Sequence, residues 1–146
     1  MSNPFTLDLV QAVSDWQRSP TEKTKPIRGQ RLKEQMSTLP AYFQECDRLC
    51  YRQECHQKDR TFQVVIQGSL PETIASWTTC LDVAKSFKGG VAFGSDDRSI
   101  ILSIVPPSGT VAANLERLYA EREFQQALDT YSSQVEYFHN GAGKYR

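Results

Sequence analysis

Ile100-Ile101-Leu102 is the tightest constraint on how this chain can fold. Three consecutive apolar residues bounded by polar ones read as a strand covered on both faces, so Ser99 to Val105 is expected to lie centrally in a sheet. Pro106-Pro107-Ser108-Gly109 stops it. The preceding Gly94-Ser95-Asp96-Asp97 is a turn signal, which makes Val91 to Phe93 the expected hairpin partner. Thr61 to Gln67 is a further strand, with Phe62, Val64 and Ile66 on one face, and Gly68 to Pro71 is a turn. Ile74 to Trp77 is extended.

Helices are expected between these strands. Phe5, Leu9 and Val13 form an apolar helical stripe starting near Asn3-Pro4. Leu39 to about Gln57 carries Leu39, Phe43, Cys46 and Cys50 at helical spacing, with Thr38 as N-cap and Pro40 in the first turn. Thr79 and Asp82 cap a helix ending at Gly89-Gly90. Val111 to about Leu128 follows a Thr110 cap. Pro26 to Gln30 and Tyr131 to Phe138 read as strands. Asn140 to Gly143 is a turn, and Lys144 to Arg146 begins another strand. Hairpin-like pairs outnumber βαβ units, which gives an α+β class with mainly antiparallel sheets. Residues 1–25 form an N-terminal helix and loop, and residues 26–146 form one domain.

Seventeen basic and seventeen acidic residues leave no net charge. That disfavours a protein held on nucleic acid mainly through phosphates, although Lys23, Lys25, Arg28, Arg31 and Lys33 cluster in sequence. No apolar run reaches membrane-spanning length, and no signal-peptide core follows Met1. Cys46, Cys50 and Cys55, followed by His56, lack the C-x2-C knuckle of zinc sites. Nothing marks the chain as folding in an oxidising compartment. The cysteines read as small core residues, with no metal expected.

Three short motifs carry chemistry. Ile27-Arg28-Gly29-Gln30 puts an arginine beside a glycine. Ser76-Trp77-Thr78-Thr79 precedes a helix. Tyr131-Ser132-Ser133-Gln134-Val135-Glu136 reads aromatic-x-x-Gln-x-Glu. On a strand, Gln134 and Glu136 share a face, as do Ser76 and Thr78. Glu121-Arg122-Glu123 competes with the last motif, but it falls in a helical pattern, where residues two apart do not share a face. His56 and His139 have no convincing Ser or Cys partner. Gly89-Gly90 lacks the Lys-Ser/Thr of a phosphate loop.

In this order the motifs resemble those of the NAD-dependent mono-ADP-ribosyltransferases of the arginine–serine–glutamate class, which include many bacterial toxins. Ile27-Arg28-Gly29 resembles the family's first-strand arginine motif. Ser76-Trp77-Thr78-Thr79, with Leu81 to Phe87 behind it, resembles the Ser-x-Ser/Thr strand and the helix that follows. The Tyr131 to Glu136 stretch resembles the target-recognition turn and catalytic glutamate, in the form found in Rho-modifying exoenzymes. The likeness runs from about Pro26 to Arg146. It implies two packed, mainly antiparallel sheets flanked by helices, and NAD as substrate.

The resemblance implies roles that elementary chemistry supports. Arg28 pairs with the NAD pyrophosphate through charge-assisted hydrogen bonds. Gly29 allows close backbone approach to a flat amide. Ser76 and Thr78 hydrogen-bond the ribose or orient Glu136. Phe87 stacks on nicotinamide, or is simply a buried helix residue. Losing nicotinamide builds positive charge on the ribose, and Glu136 stabilises it where it is greatest. Gln134 and Tyr131 handle the acceptor. Such a protein would be a bacterial or phage toxin or effector, acting on a target protein in another cell's cytosol. It would arrive without a cleavable signal and be opposed by an immunity or inhibitor protein. Alternatives are a catalytically inactive protein-binding module on the same fold, and a nucleic-acid-modifying relative.

Overall fold

Helix α1, Leu7–Gln17, forms where the sequence offers an N-cap and a continuous apolar stripe. Thr6 accepts the Leu9 N–H through its hydroxyl, three residues beyond the expected Asn3 start. Asn3 instead accepts the Phe5 N–H and donates to the Glu123 carbonyl. In this computed structural model, residues 3–18, 23–57, 74–86 and 97–145 are described. They divide into two compact units, Met1–Cys46 with Pro107–Arg146, and Asp47–Pro106. The architecture mixes helix and sheet.

In the first unit, α1 packs on α2, Lys25–Met36. Sequence reasoning expects a strand at Pro26 to Gln30, and this is corrected. Pro26 sits in the first turn of a helix, where its missing N–H has no intrahelical partner to lose. Gly29, Leu32 and Met36 recur three and four residues apart and form the buried stripe.

The expected helix over Leu39 to Gln57 is also corrected. A single 3-10 turn, Ala41–Gln44, buries Phe43, and the chain then extends. Phe5 lies edge-on between Phe43 and Phe124, with ring centroids 5.7 and 5.5 Å away.

The single helix expected over Val111 to Leu128 is two, α4 at Leu115–Ala120 and α5 at Arg122–Tyr131, broken at extended Glu121. Asn114, not Thr110, caps α4, accepting the Arg117 N–H at 3.1 Å. Its amide donates to the Glu45 carbonyl, and its backbone N–H to that of Phe43. Phe124, Ala127 and Leu128 form the buried face of α5.

In the second unit, β1 (Cys50–Gln57) pairs antiparallel with β2 (Asp97–Ile104), placing Arg52 opposite Leu102 and Glu54 opposite Ile100. The strand expected around Ile100-Ile101-Leu102 is present, and β1 is its partner. Tyr51 also exchanges both backbone hydrogen bonds with Thr78, at 2.7 and 2.9 Å. Helix α3, Leu81–Ser86, follows and buries Ala84. Among the described residues this two-stranded pairing is the only sheet. The expected elements at Thr61 to Gln67, Gly68 to Pro71, Gly89-Gly90 and Val91 to Phe93 lie outside the described residues. No described helix is long and apolar enough to cross a membrane.

Candidate functional site

Arg28 is held by α1. Its Nη1 donates at 2.9 Å to the Asp15 main-chain carbonyl, which also accepts the Arg18 N–H that caps α1. The arginine read as a strand-borne phosphate anchor is therefore helical and ties two helices together. Gly29, on the same helix, is buried. The open depression along α2 is lined by Pro26, Ile27, Gln30, Arg31 and Glu34, and does not include Arg28.

The Gln-x-Glu motif is corrected in its backbone. Tyr131 ends α5, and its carbonyl accepts the N–H groups of Gln134 and Val135 at 2.9 and 3.0 Å. Ser132 through Tyr137 form turns rather than a strand. The apolar stripe of Phe124, Ala127 and Leu128 carries the helix through Tyr131, and the turn then drops Val135 into the core. Gln134 and Glu136 flank Val135 and both are exposed. The Glu136 N–H donates to Gln11 Oε1 at 3.0 Å, which fastens the turn to α1. Tyr137, the next residue, has φ 54°, and the Arg18 guanidinium stacks on its ring at 4.5 Å. The strand expected to begin at Lys144 is replaced by a 3-10 turn at Ala142–Lys144.

Ser76 and Thr78 belong to the second unit, on the segment beside β1. Thr78 Oγ1 accepts the Cys80 N–H at 3.1 Å, and the Cys80 carbonyl accepts that of Ala84. The Ser-x-Thr segment thus leads directly into α3, as its sequence suggests, with Thr78 and Cys80 bonding at its start. Phe87 lies outside the described residues.

The arginine that accompanies Ser76 is Arg52, which falls within the helix expected over Leu39 to Gln57 but stands on a strand. Arg52 stands on β1, and its Nη1 donates to the Ser76 carbonyl at 2.8 Å. Its Nε lies 3.6 Å from Glu54 Oε2, two residues along the strand and so on the same face. Both side chains are partly shielded, 23% and 17% exposed. Leu102 and Ile100, their cross-strand partners, share that face. A signal was present in the sequence: the apolar helical stripe stops at Cys50, because Gln53, Glu54 and Gln57 are polar.

Strand-borne Arg52, the Ser76 to Thr78 segment and α3 therefore lie together in one unit. A guanidinium so placed can pair with phosphate oxygens, and the Ser76 side chain beside it is exposed and able to donate to a sugar or phosphate. Among the described residues, no three His, Cys, Asp or Glu side chains gather as a metal site would require. Comparisons of the chain with family models, with curated proteins and with solved structures gave no match.

Proposed function

We propose that this protein binds NAD and acts as a mono-ADP-ribosyltransferase, with Arg52 rather than Arg28 as its nucleotide anchor. The observation that carries this reading is the hydrogen bond from Arg52 to the carbonyl of Ser76. It joins a strand arginine to a Ser-x-Thr segment that runs into a helix, the local order that the sequence resemblance implies. Arg52 meets the pyrophosphate, and Ser76 and Thr78 line the ribose side.

The sequence resemblance alone assigns nicotinamide loss to Glu136 and the protein acceptor to Gln134 and Tyr131, which all belong to the other compact unit. As a toxin or effector, the protein would act in the cytosol of a target cell. Release of free nicotinamide from NAD, followed with and without cell extract, tests cleavage. Transfer of labelled ADP-ribose to protein in that extract tests the acceptor.

A second reading, a binding module that holds nucleotide without cleaving it, is favoured by one observation. Glu136 sits on an exposed turn, not on the strand from which the paired Gln-x-Glu geometry follows. NAD binding without nicotinamide release would select it.

A further inference from the structure

We infer that Glu54 is the positioning residue for the Arg52 guanidinium, and that it sets the affinity for the NAD pyrophosphate without touching the nucleotide. This rests on the NAD reading above. An arginine side chain has many rotamers, and a free one must be ordered when an anion binds. Here two contacts fix the plane beforehand. Glu54 Oε2 faces Nε at 3.6 Å, and the Ser76 carbonyl takes an Nη1 hydrogen at 2.8 Å. The two acceptors stand on adjacent segments of one unit, so the guanidinium is held from two sides. Nη2 carries two further N–H donors for phosphate oxygens.

Glu54 can hold this position because β1 puts it two residues from Arg52 on the same face. Leu102 and Ile100 flank the pair on the same face of the neighbouring strand. Cross-strand pairing on both sides of β1 fixes the backbone beneath it. Glu54 also opposes an incoming anion, but through a screened charge behind the guanidinium. Preorganisation is the larger effect, so loss of Glu54 weakens binding.

The test compares wild type, Glu54→Gln and Glu54→Asp, each checked for fold by circular dichroism. NAD is titrated calorimetrically, and the Arg52 Nε–H resonance is followed by nitrogen-15 NMR without ligand. Glu54→Gln should bind NAD roughly tenfold more weakly. Its Arg52 Nε–H should exchange faster with water, and Glu54→Asp should fall between the two. Equal or tighter NAD binding by Glu54→Gln would mean that the carboxylate merely neutralises Arg52, and overturns the inference. So would an Nε–H resonance indifferent to the substitution. If wild type binds no NAD, the nucleotide reading itself fails and this role for Glu54 falls with it. The NMR signal distinguishes that failure from loss of the Arg52–Glu54 contact.

Discussion

Arg28 and Asp15 are joined by a 2.9 Å hydrogen bond from the guanidinium to the main-chain carbonyl, so Arg28 fastens α2 to the last turn of α1. Arg28→Ala should cost about 1.5–3 kcal/mol, the range for a hydrogen bond from a charged group. A shift of several degrees in melting temperature, with NAD affinity unchanged, is expected. Loss of NAD binding in a folded Arg28→Ala protein would return this residue to the nucleotide site.

Gly141 packs against Ser14 with no room for a side chain. A Cβ on Gly141 would collide with the Ser14 hydroxyl and lie 2.5 Å from its carbonyl oxygen. Ser14 is itself buried, and its hydroxyl accepts the Ala142 N–H at 3.1 Å. Gly141→Ala should therefore destabilise by roughly 1–3 kcal/mol, as overpacking does. Thermal unfolding measures it, and an unaltered melting temperature would mean that the C-terminal turn is not seated on α1 in this way.

Tyr119 links the same turn to α1, donating to Gln17 Oε1 at 2.6 Å and lying 3.0 Å from the Ala142 carbonyl. Burial pushes its phenol above the ordinary value of 10, with the Gln17 hydrogen bond a smaller opposing effect. Above pH ~10 the unfolded chain gives up this proton while the folded chain keeps it, so stability present below pH 10 is lost as pH rises beyond it. Tyr119→Phe should lower stability by about 1 kcal/mol at pH 7 and flatten the alkaline decline. Denaturant melts of both proteins between pH 8 and 11 give the comparison; parallel curves would contradict it.

Glu136→Gln keeps size and hydrogen bonding but removes charge. If Glu136 stabilises the ribosyl cation, nicotinamide release should fall by ~100-fold, the scale of comparable electrostatic groups. Glu123→Gln, in the first turn of α5, should leave the rate unchanged. Equal effects from the two substitutions would remove Glu136 from the chemistry. Since Glu136 is exposed, its loss should leave the melting temperature unaltered.

Apolar patterning made α1 and β2 legible in the sequence. The stripe of Phe5, Leu9 and Val13 folds as its pattern dictates; the run Ile100-Ile101-Leu102 forms a strand, but Ile101 is 39% exposed, so among the described residues the cover on both faces that the run suggested is not found. The helix after Ser76 to Thr79 was legible from the polar residues at its start rather than from apolar patterning. β1 was not, because Arg52, Gln53, Glu54 and Gln57 are good helix formers and their strand state comes from pairing with β2. Pro26-Ile27 suggested an extended segment, but Leu32 and Met36 beyond it complete a helical face. Tyr131 to Glu136 misled in the other direction. Its alternation of exposed Gln134, buried Val135 and exposed Glu136 imitates a strand, while the α5 stripe and two turn hydrogen bonds to the Tyr131 carbonyl settle the backbone. Recognising Arg52 required knowing which strand lies beside Ser76, and that is tertiary information.

If Arg52 anchors NAD, a calorimetric titration of wild type, Arg52→Lys and Arg28→Lys, each folded, will separate the two arginines. Arg52→Lys keeps the charge but loses the planar fork and its hold on the Ser76 carbonyl, so NAD should bind at least about tenfold more weakly than to wild type. Arg28→Lys, altered in the other candidate arginine, should bind as wild type does. Undiminished binding by Arg52→Lys, a loss confined to Arg28→Lys, or no binding by wild type would each contradict the claim.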